Sequence, residues 1–345
     1  MNLKEFHYDL PQALIAAYPS RQRETSRLLV IRRATGELTH SVFSELGNFL
    51  DRGDLLVLND TKVFPARLRG VKDSGGKAEV LLVERFPGGR TLWIAMIDAA
   101  KKPRLGSRIS FSKDLAAEVI GDMGQGRFGL EFYGAAKFDE QLKALGEPPL
   151  PHYIRRGRTT DASDWDRYQT VYAANSGAVA APTAGFHFTP QLLEDLNQNG
   201  ISQVLLTLHV GPGTFQPVRA AEIEQHRMEG ERYVISTDAA AKINRTKSSH
   251  HRVVAVGSTS TRTLEWVALQ KGKIQADERI ARLFIRPGDP FRVIDALITN
   301  FHLPNSTPLI LVAAFAGIEL VRRAYAEAIR MKYRFYSYGD AMLIL

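Results

Sequence analysis

The sequence contains no cysteine. That excludes a disulfide framework, a CxxC redox motif and any zinc or iron–sulfur site with cysteine ligands. It is compatible with a reducing compartment, and a cytoplasmic location is expected. Long apolar runs are also missing. The longest, between Pro308 and Glu319, falls short of the roughly 20 residues that cross a bilayer. The first twenty residues carry charges and two prolines but no apolar stretch of a signal peptide. No membrane association is expected.

Other signatures are absent too. There is no GxxxxGK[ST] loop, no HExxH, no internal repeat and no low-complexity tract. Gly124-Gln-Gly-Arg-Phe-Gly129 matches G-x-G-x-x-G. A dinucleotide site needs a helix to follow, however, and Leu130 to Tyr133 reads as a strand. The match is read as a hairpin turn. His250 and His251 lack partners at ligand spacing, so no metal site is expected.

What is present is a chain of 345 residues, long for one domain, with a formal net charge of +8. The excess is localised. Residues 1–58 hold 7 basic and 7 acidic side chains, and residues 159–345 hold 20 and 18. Residues 59–158 hold 18 and 12. A positive field confined to one stretch suits a polyanion such as nucleic acid, although an ordinary solvated surface has similar numbers.

Texture changes over the same stretch. Short Val-, Ile- and aromatic-rich runs from about 62 to 134 are cut by Asp73-Ser-Gly-Gly76, Pro87-Gly-Gly89 and Gly124-Gln-Gly126. They predict a small antiparallel barrel. On either side the pattern is mixed α/β. Strands are expected at 26–31, 54–58, 204–209, 252–256 and 341–345. Helices are expected at 43–50, 164–174, 190–199 and 237–247, with one long helix over 308–332. The fold class is therefore α/β, a discontinuous main domain with an inserted β-barrel. The boundaries are 1–58 plus 155–345 for the main domain and 59–154 for the barrel.

Three loops invite chemistry. GAVAAPTAGFHF, residues 177–188, has almost no side chains until Phe186-His187-Phe188. Small residues let a backbone approach a ligand, and Thr189-Pro190 opens a helix whose free N–H groups suit an anion. The alternative is a tight crossover with a core histidine. His209-Val-Gly-Pro-Gly-Thr-Phe215 follows a strand, where open α/β sheets bind ligands, but it is equally a plain turn. Gly257-Ser-Thr-Ser-Thr-Arg262 runs from a strand into a helix, either as an anion cradle or as a cap with spare hydroxyls. His302 adds a third histidine, a group suited to proton transfer near neutrality. Asp60 is either a base, an amine ligand or an Asx turn.

Seven segments occur together in order: LNDTKVFPARL, DRYQTVYA, GAVAAPTAGFHF, LTLHVGPGTFQPVR, STSTRTLE, LITNFHLPNST and YRFYSYGDAMLI. With them, essentially the whole chain resembles the S-adenosylmethionine:tRNA ribosyltransferase-isomerases of queuosine biosynthesis. The resemblance implies a monomeric enzyme that consumes S-adenosylmethionine as co-substrate and holds no resident cofactor or metal. Its other partner would be tRNA bearing 7-aminomethyl-7-deazaguanine at the wobble position, and no protein partner is evident. The ribosyl group would pass to the aminomethyl nitrogen and rearrange to epoxyqueuosine, with adenine and methionine leaving.

Loops and resemblance together nominate His187, His209, His302 and Asp60 for catalysis. S-adenosylmethionine is assigned Thr183, Gly185, Phe186, Gly211, Gly213, Thr214, Phe215, Ser258, Thr259, Ser260 and Arg262. The methionine carboxylate would take one of the two helix starts, and Phe186, Phe188 or Phe215 would stack on adenine. tRNA is assigned Lys62, Arg67, Arg69, Arg155 and Arg156. The chain departs from the family at Ala17, Lys62, Phe186, Pro212 and Glu229, where Gln, Arg, Leu, Leu and His are usual.

Overall fold

A computed structural model describes the chain apart from residues 87, 88, 90, 135, 136, 152, 153, 155–162, 216, 217 and 219, and apart from the side chains at 214 and 215. Hydrophobic alternation organises its main sheet. In the strand Arg27–Arg32, Leu28 and Val30 join one core while Leu29 and Ile31 join another. Leu55–Asn59 and Val253–Val256 divide in the same way. Strands this apolar need cover on both faces. Helices Thr237–Ser248, Gly257–Lys271, Thr307–Ala316 and Ile318–Arg330 pack into one core. The 3-10 segment Phe43–Phe49 and helix Pro190–Gln198 pack into the other.

The sheet has nine strands. Their order is Asp277–Ala281, Glu231–Ile235, Ser202–Leu208, Leu55–Asn59, Val253–Val256, Ala296–Asn300, Ala341–Ile344, Arg27–Arg32 and Glu37–Val42. The four strands from Ser202–Leu208 to Ala296–Asn300 are mutually parallel. Their carboxyl ends therefore share one edge, where open sheets place ligands.

The barrel is closed and has six antiparallel strands, all between Arg67 and Tyr133. Ala78, Val80 and Leu82 alternate inward along Lys77–Arg85, and Trp93, Phe128, Phe132 and Phe138 help fill the interior. Gly124, Gln125 and Gly126 all have positive φ and join two neighbouring strands. The G-x-G-x-x-G match is thus a hairpin turn. The architecture is the mixed α/β fold with an inserted antiparallel barrel that the sequence predicts.

Two expected helices differ. The one over 164–174 is a single turn, Asp164–Arg167. Thr170, Val171 and Tyr172 are poor helix formers, and Thr170 and Tyr172 instead pack against Gly185. The long C-terminal helix is two helices, Thr307–Ala316 and Ile318–Arg330. Gly317 breaks it with a φ of +91°, which glycine adopts at little cost.

Candidate active site at the carboxyl edge of the sheet

The loops after the four parallel strands begin at Asp60, His209, Gly257 and Phe301. The crossover 179–188 lies over them, tied by Val179 N–H donating to the Val210 carbonyl at 3.0 Å. Two cavities open here, and Val210 lines both.

The first is the smaller, with a volume of about 190 Å³. Thr183, Ser258, Thr259, Asn300, His302 and Tyr336 are among its walls. Two helix starts converge on it. Gly257 opens helix Gly257–Lys271 at a φ of +88°, with no side chain capping the helix. Ser306 caps Thr307–Ala316 through Leu309 N–H. Free N–H groups and two dipoles make this a site for negative charge. The Thr259 hydroxyl is buried there without a partner among the described residues. Thr261 and Thr263, by contrast, donate to carbonyls one turn back, Gly257 and Thr259.

His302 belongs to this cavity. Its Nε2 lies 2.8 Å from Thr299 Oγ1. Its backbone is held from behind: Tyr325 hydroxyl accepts its N–H, and Tyr8 hydroxyl donates to its carbonyl. Burial pushes its pKa down to about 3, so the imidazole is neutral at neutral pH.

His187 sits one layer behind the wall. A directed chain of hydrogen bonds explains why. Thr183 hydroxyl donates to Asn300 Oδ1 at 3.4 Å, and Asn300 Nδ2 donates to His187 Nε2 at 3.2 Å. Asn300 Nδ2 also donates to the Tyr336 carbonyl, which sets the amide orientation. With Nε2 accepting, Nδ1–H donates to Ser26 Oγ at 2.6 Å, and Ser26 donates to the Arg23 carbonyl. Both ring nitrogens are therefore engaged. Burial, then the Arg23 and Arg334 charges, push this pKa to about 3. The ring lies against Phe43, 5.0 Å between centroids.

The second cavity is a cleft of about 660 Å³ between barrel and sheet. His209 lines it, with Nδ1 2.8 Å from Thr61 Oγ1. Gly177 backs the imidazole so closely that a Cβ there would lie 2.7 Å from Cε1. Burial first, then Arg232, lower the His209 pKa, while Asp60 opposes them. Across the cleft stand Arg85, Arg127 and Lys143 from the barrel side, with Glu84 and Asp139 among them. Arg127 pairs with Glu229 at 2.5 Å, bridging barrel and sheet.

A model of the family described as queuosine biosynthesis protein matches residues 3–344. The chain belongs to that family. It is 49% identical over 344 residues to the S-adenosylmethionine:tRNA ribosyltransferase-isomerase of Pelobacter propionicus, covering all of both chains. It is 47% identical over 347 residues to the protein of that name from Syntrophotalea carbinolica, again over both full lengths. Among solved structures, the S-adenosylmethionine tRNA ribosyltransferase of Thermotoga maritima is similar, with a TM-score of 0.56. That pair is 36% identical, covering 99% of this chain and 100% of the other.

Against this family background the nominated residues separate into groups. Thr183, Ser258, Thr259 and His302 line the smaller cavity, and His209 and Gly211 line the cleft. Gly211 has open space where a Cβ would stand, whereas a Cβ at Gly213 would meet Glu229 Oε2 at 2.6 Å. Others are committed elsewhere. Gly185 presses on Tyr172, not on a cavity. Phe186 packs with Tyr168 and Tyr338, and Phe188 has no exposed surface. Ser260 is wholly buried. Arg262 pairs with Glu231 in the interior, and burial pushes its pKa down to about 10. Asp60 lines neither cavity: it accepts from Thr207 Oγ1 at 2.6 Å and Asn175 Nδ2 at 2.9 Å.

The helix start at Thr189 is also taken. Its hydroxyl accepts from Leu192 N–H and donates to Glu24 at 2.5 Å, so an internal carboxylate occupies that end. Of the tRNA candidates, Lys62 is exposed. Arg67 is enclosed by Glu79 and the Leu150 carbonyl, and Arg69 pairs with Glu147. Arg155 and Arg156, and the side chains of Thr214 and Phe215, lie outside the described residues. Sequence reasoning passed over Asn300, Ser306 and Tyr336. Tyr336 carries the clearest signal only in three dimensions, a φ of +76° at the cavity wall.

Proposed function

We infer that the chain is an S-adenosylmethionine:tRNA ribosyltransferase-isomerase. It moves the ribosyl group of S-adenosylmethionine to the aminomethyl nitrogen of 7-aminomethyl-7-deazaguanine at the tRNA wobble position. The ribosyl rearranges to the epoxycyclopentanediol of epoxyqueuosine, and adenine and methionine leave. The observation that carries this reading is identity of 47–49% over full length to relatives of that name.

The two cavities support a division of labour. The first is smaller than the roughly 300–1,000 Å³ usual for small-molecule sites, so it takes one end of S-adenosylmethionine. The methionine carboxylate at the Gly257 helix start, beside Thr259, fits its polarity. The remainder passes Val210 toward the cleft, where the RNA base enters. Tyr336 is the aromatic ring on the first cavity's wall and so stands at the methionine end, while Phe186 and Phe188 are committed elsewhere.

A base must remove a proton from the ribosyl carbon beside the sulfonium, and an acid must assist adenine departure. His302 and His209 are the histidines on the cavity walls and share these roles. His187 acts through Asn300 as a positioning residue, and Asp60 acts through Asn175 and Thr207. We further propose the two units 1–58 plus 155–345 and 59–154, a cytoplasmic monomer, and no resident cofactor or metal.

The test is product analysis. The purified protein, S-adenosylmethionine and tRNA carrying the deazaguanine precursor should yield adenine and methionine in equal amounts. Formation of S-adenosylhomocysteine would mean methyl transfer and overturn the reading.

A further inference from the structure

Arg85 is held unlike the other arginines of the cleft. Its guanidinium carbon sits 4.8 Å from the centre of the Trp93 ring and 5.9 Å from that of Phe138. Its Nη2 donates to Asp139 Oδ1 at 2.8 Å. Two aromatic rings therefore lie against the group, and a carboxylate limits its rotation. Phe64 supports Trp93 from a further position, 5.6 Å between ring centres. The buried Trp93 Nε1–H finds no acceptor among the described residues, so packing and Arg85 hold that ring. The Arg85 side chain nevertheless stays 39% exposed, and Arg85, Trp93 and Phe64 all line the cleft that His209 lines.

A guanidinium fixed in this way is a flat, cationic surface, on which an unstacked nucleobase can lie. We propose that Arg85, backed by Trp93 and Phe138, is a stacking platform for a nucleobase of the RNA substrate at the mouth of the cleft. This rests on the RNA-modifying reading above. It differs from a phosphate contact, which would need a positive charge but no plane. The excess of basic residues across 59–158 supplies general attraction. The platform supplies an orientation that a net charge lacks.

The test separates plane from charge. Binding of a fluorescently labelled anticodon stem-loop RNA is measured by anisotropy at several salt concentrations. Arg85→Lys keeps the charge and loses the plane, and should weaken binding about tenfold with the salt slope unchanged. Arg85→Ala should weaken it at least as much, again with little change in salt slope, because the slope counts neutralised phosphates and the platform contacts a base. Arg108→Lys, a change at an exposed barrel arginine outside the cleft, is the control and should bind like the parent. Thermal melts check that each variant folds. Wild-type affinity in Arg85→Lys would overturn the platform. So would a loss in Arg85→Ala that Lys fully restores. Binding needs no turnover, so absence of adenine release would count against the proposed reaction and leave this measurement intact.

Discussion

The smaller cavity and the cleft meet at Val210 but differ in the charge of their walls. The smaller cavity is walled by apolar side chains, hydroxyls and neutral amide and imidazole groups, with no Asp, Glu, Lys or Arg among its described lining residues. The cleft adds charged, exposed or half-buried side chains to its wall, with Arg85–Asp139 paired on the barrel side and Arg127–Glu229 paired across it. An uncharged wall suits a small ligand whose reacting atoms need placement. A charged, adjustable wall suits a polyanion that must dock and leave. One histidine stands in each, and both are depressed below the usual histidine range by burial. The comparison therefore predicts two kinds of failure.

The largest effect is expected at the two wall histidines. His302→Ala should lower kcat about 10²–10⁴-fold, raise KM for S-adenosylmethionine and leave RNA affinity near the parent value. His209→Ala should lower kcat on the same scale with KM for S-adenosylmethionine little changed. Steady-state kinetics with both substrates varied would check this. Identical KM patterns in the two variants would break the division between the cavities.

Gly177→Ala comes next. Its Cβ would lie 2.7 Å from His209 Cε1, so the ring must move. Misplacing a catalytic group by about an ångström can cost up to 10²-fold. A loss of kcat approaching that size is expected in a folded protein that still binds the stem-loop. Normal turnover in this variant would show that the ring position against Gly177 is not the reactive one.

Much of this layout is legible in the sequence, for a physical reason. Leu55–Asn59 up to its final Asn, and all of Val253–Val256, are apolar because both faces are covered, and glycine- or hydroxyl-rich segments follow strands at the ligand edge. Glu231–Ile235 and Asp277–Ala281 escape such reading because they pair antiparallel toward one side of the sheet and carry charges. The histidines are the harder case. Phe186-His187-Phe188 and Phe301-His302-Leu303 look alike locally. What separates them is contact between distant residues: His187 meets Ser26, 161 positions away, and Asn300, 113 positions away. No spacing within either motif encodes that. Arg67 and Arg69 show the same limit, since a basic pair on a strand reads as a nucleic-acid surface until Glu79 and Glu147 are placed beside it.

The buried histidine makes a third prediction, on stability. The folded pKa of His187 is about 3 and the unfolded value about 6.5. Between these limits the unfolded chain binds more protons, so stability falls as pH falls. The loss between pH 7 and 5 is about 2 kcal/mol for such a group. His187→Gln removes it, and its denaturation midpoint should change less over that range, although its stability at pH 7 is lower. An equally steep pH dependence in the variant would assign the acid sensitivity elsewhere.

The smallest effect tests the seam itself. Glu229 stands where the resemblance implies a histidine, and here it joins Arg127 across the cleft while its carboxylate packs over Gly213. Both partners are about a quarter exposed, so solvent screens the pair and its contribution is about 1 kcal/mol or less. Glu229→Gln keeps the shape and removes the charge. A barrel held less firmly should raise KM for RNA about two- to fivefold, more so at low salt, with KM for S-adenosylmethionine unchanged. Glu229→His, the residue the resemblance implies, should fall between the parent and Gln at pH 8. At pH 6 a protonated imidazole would repel Arg127 and weaken RNA binding further. If instead Glu229→Gln lowered kcat as severely as His209→Ala, Glu229 would belong to the reacting groups, and the cleft would no longer be the adjustable half of the site.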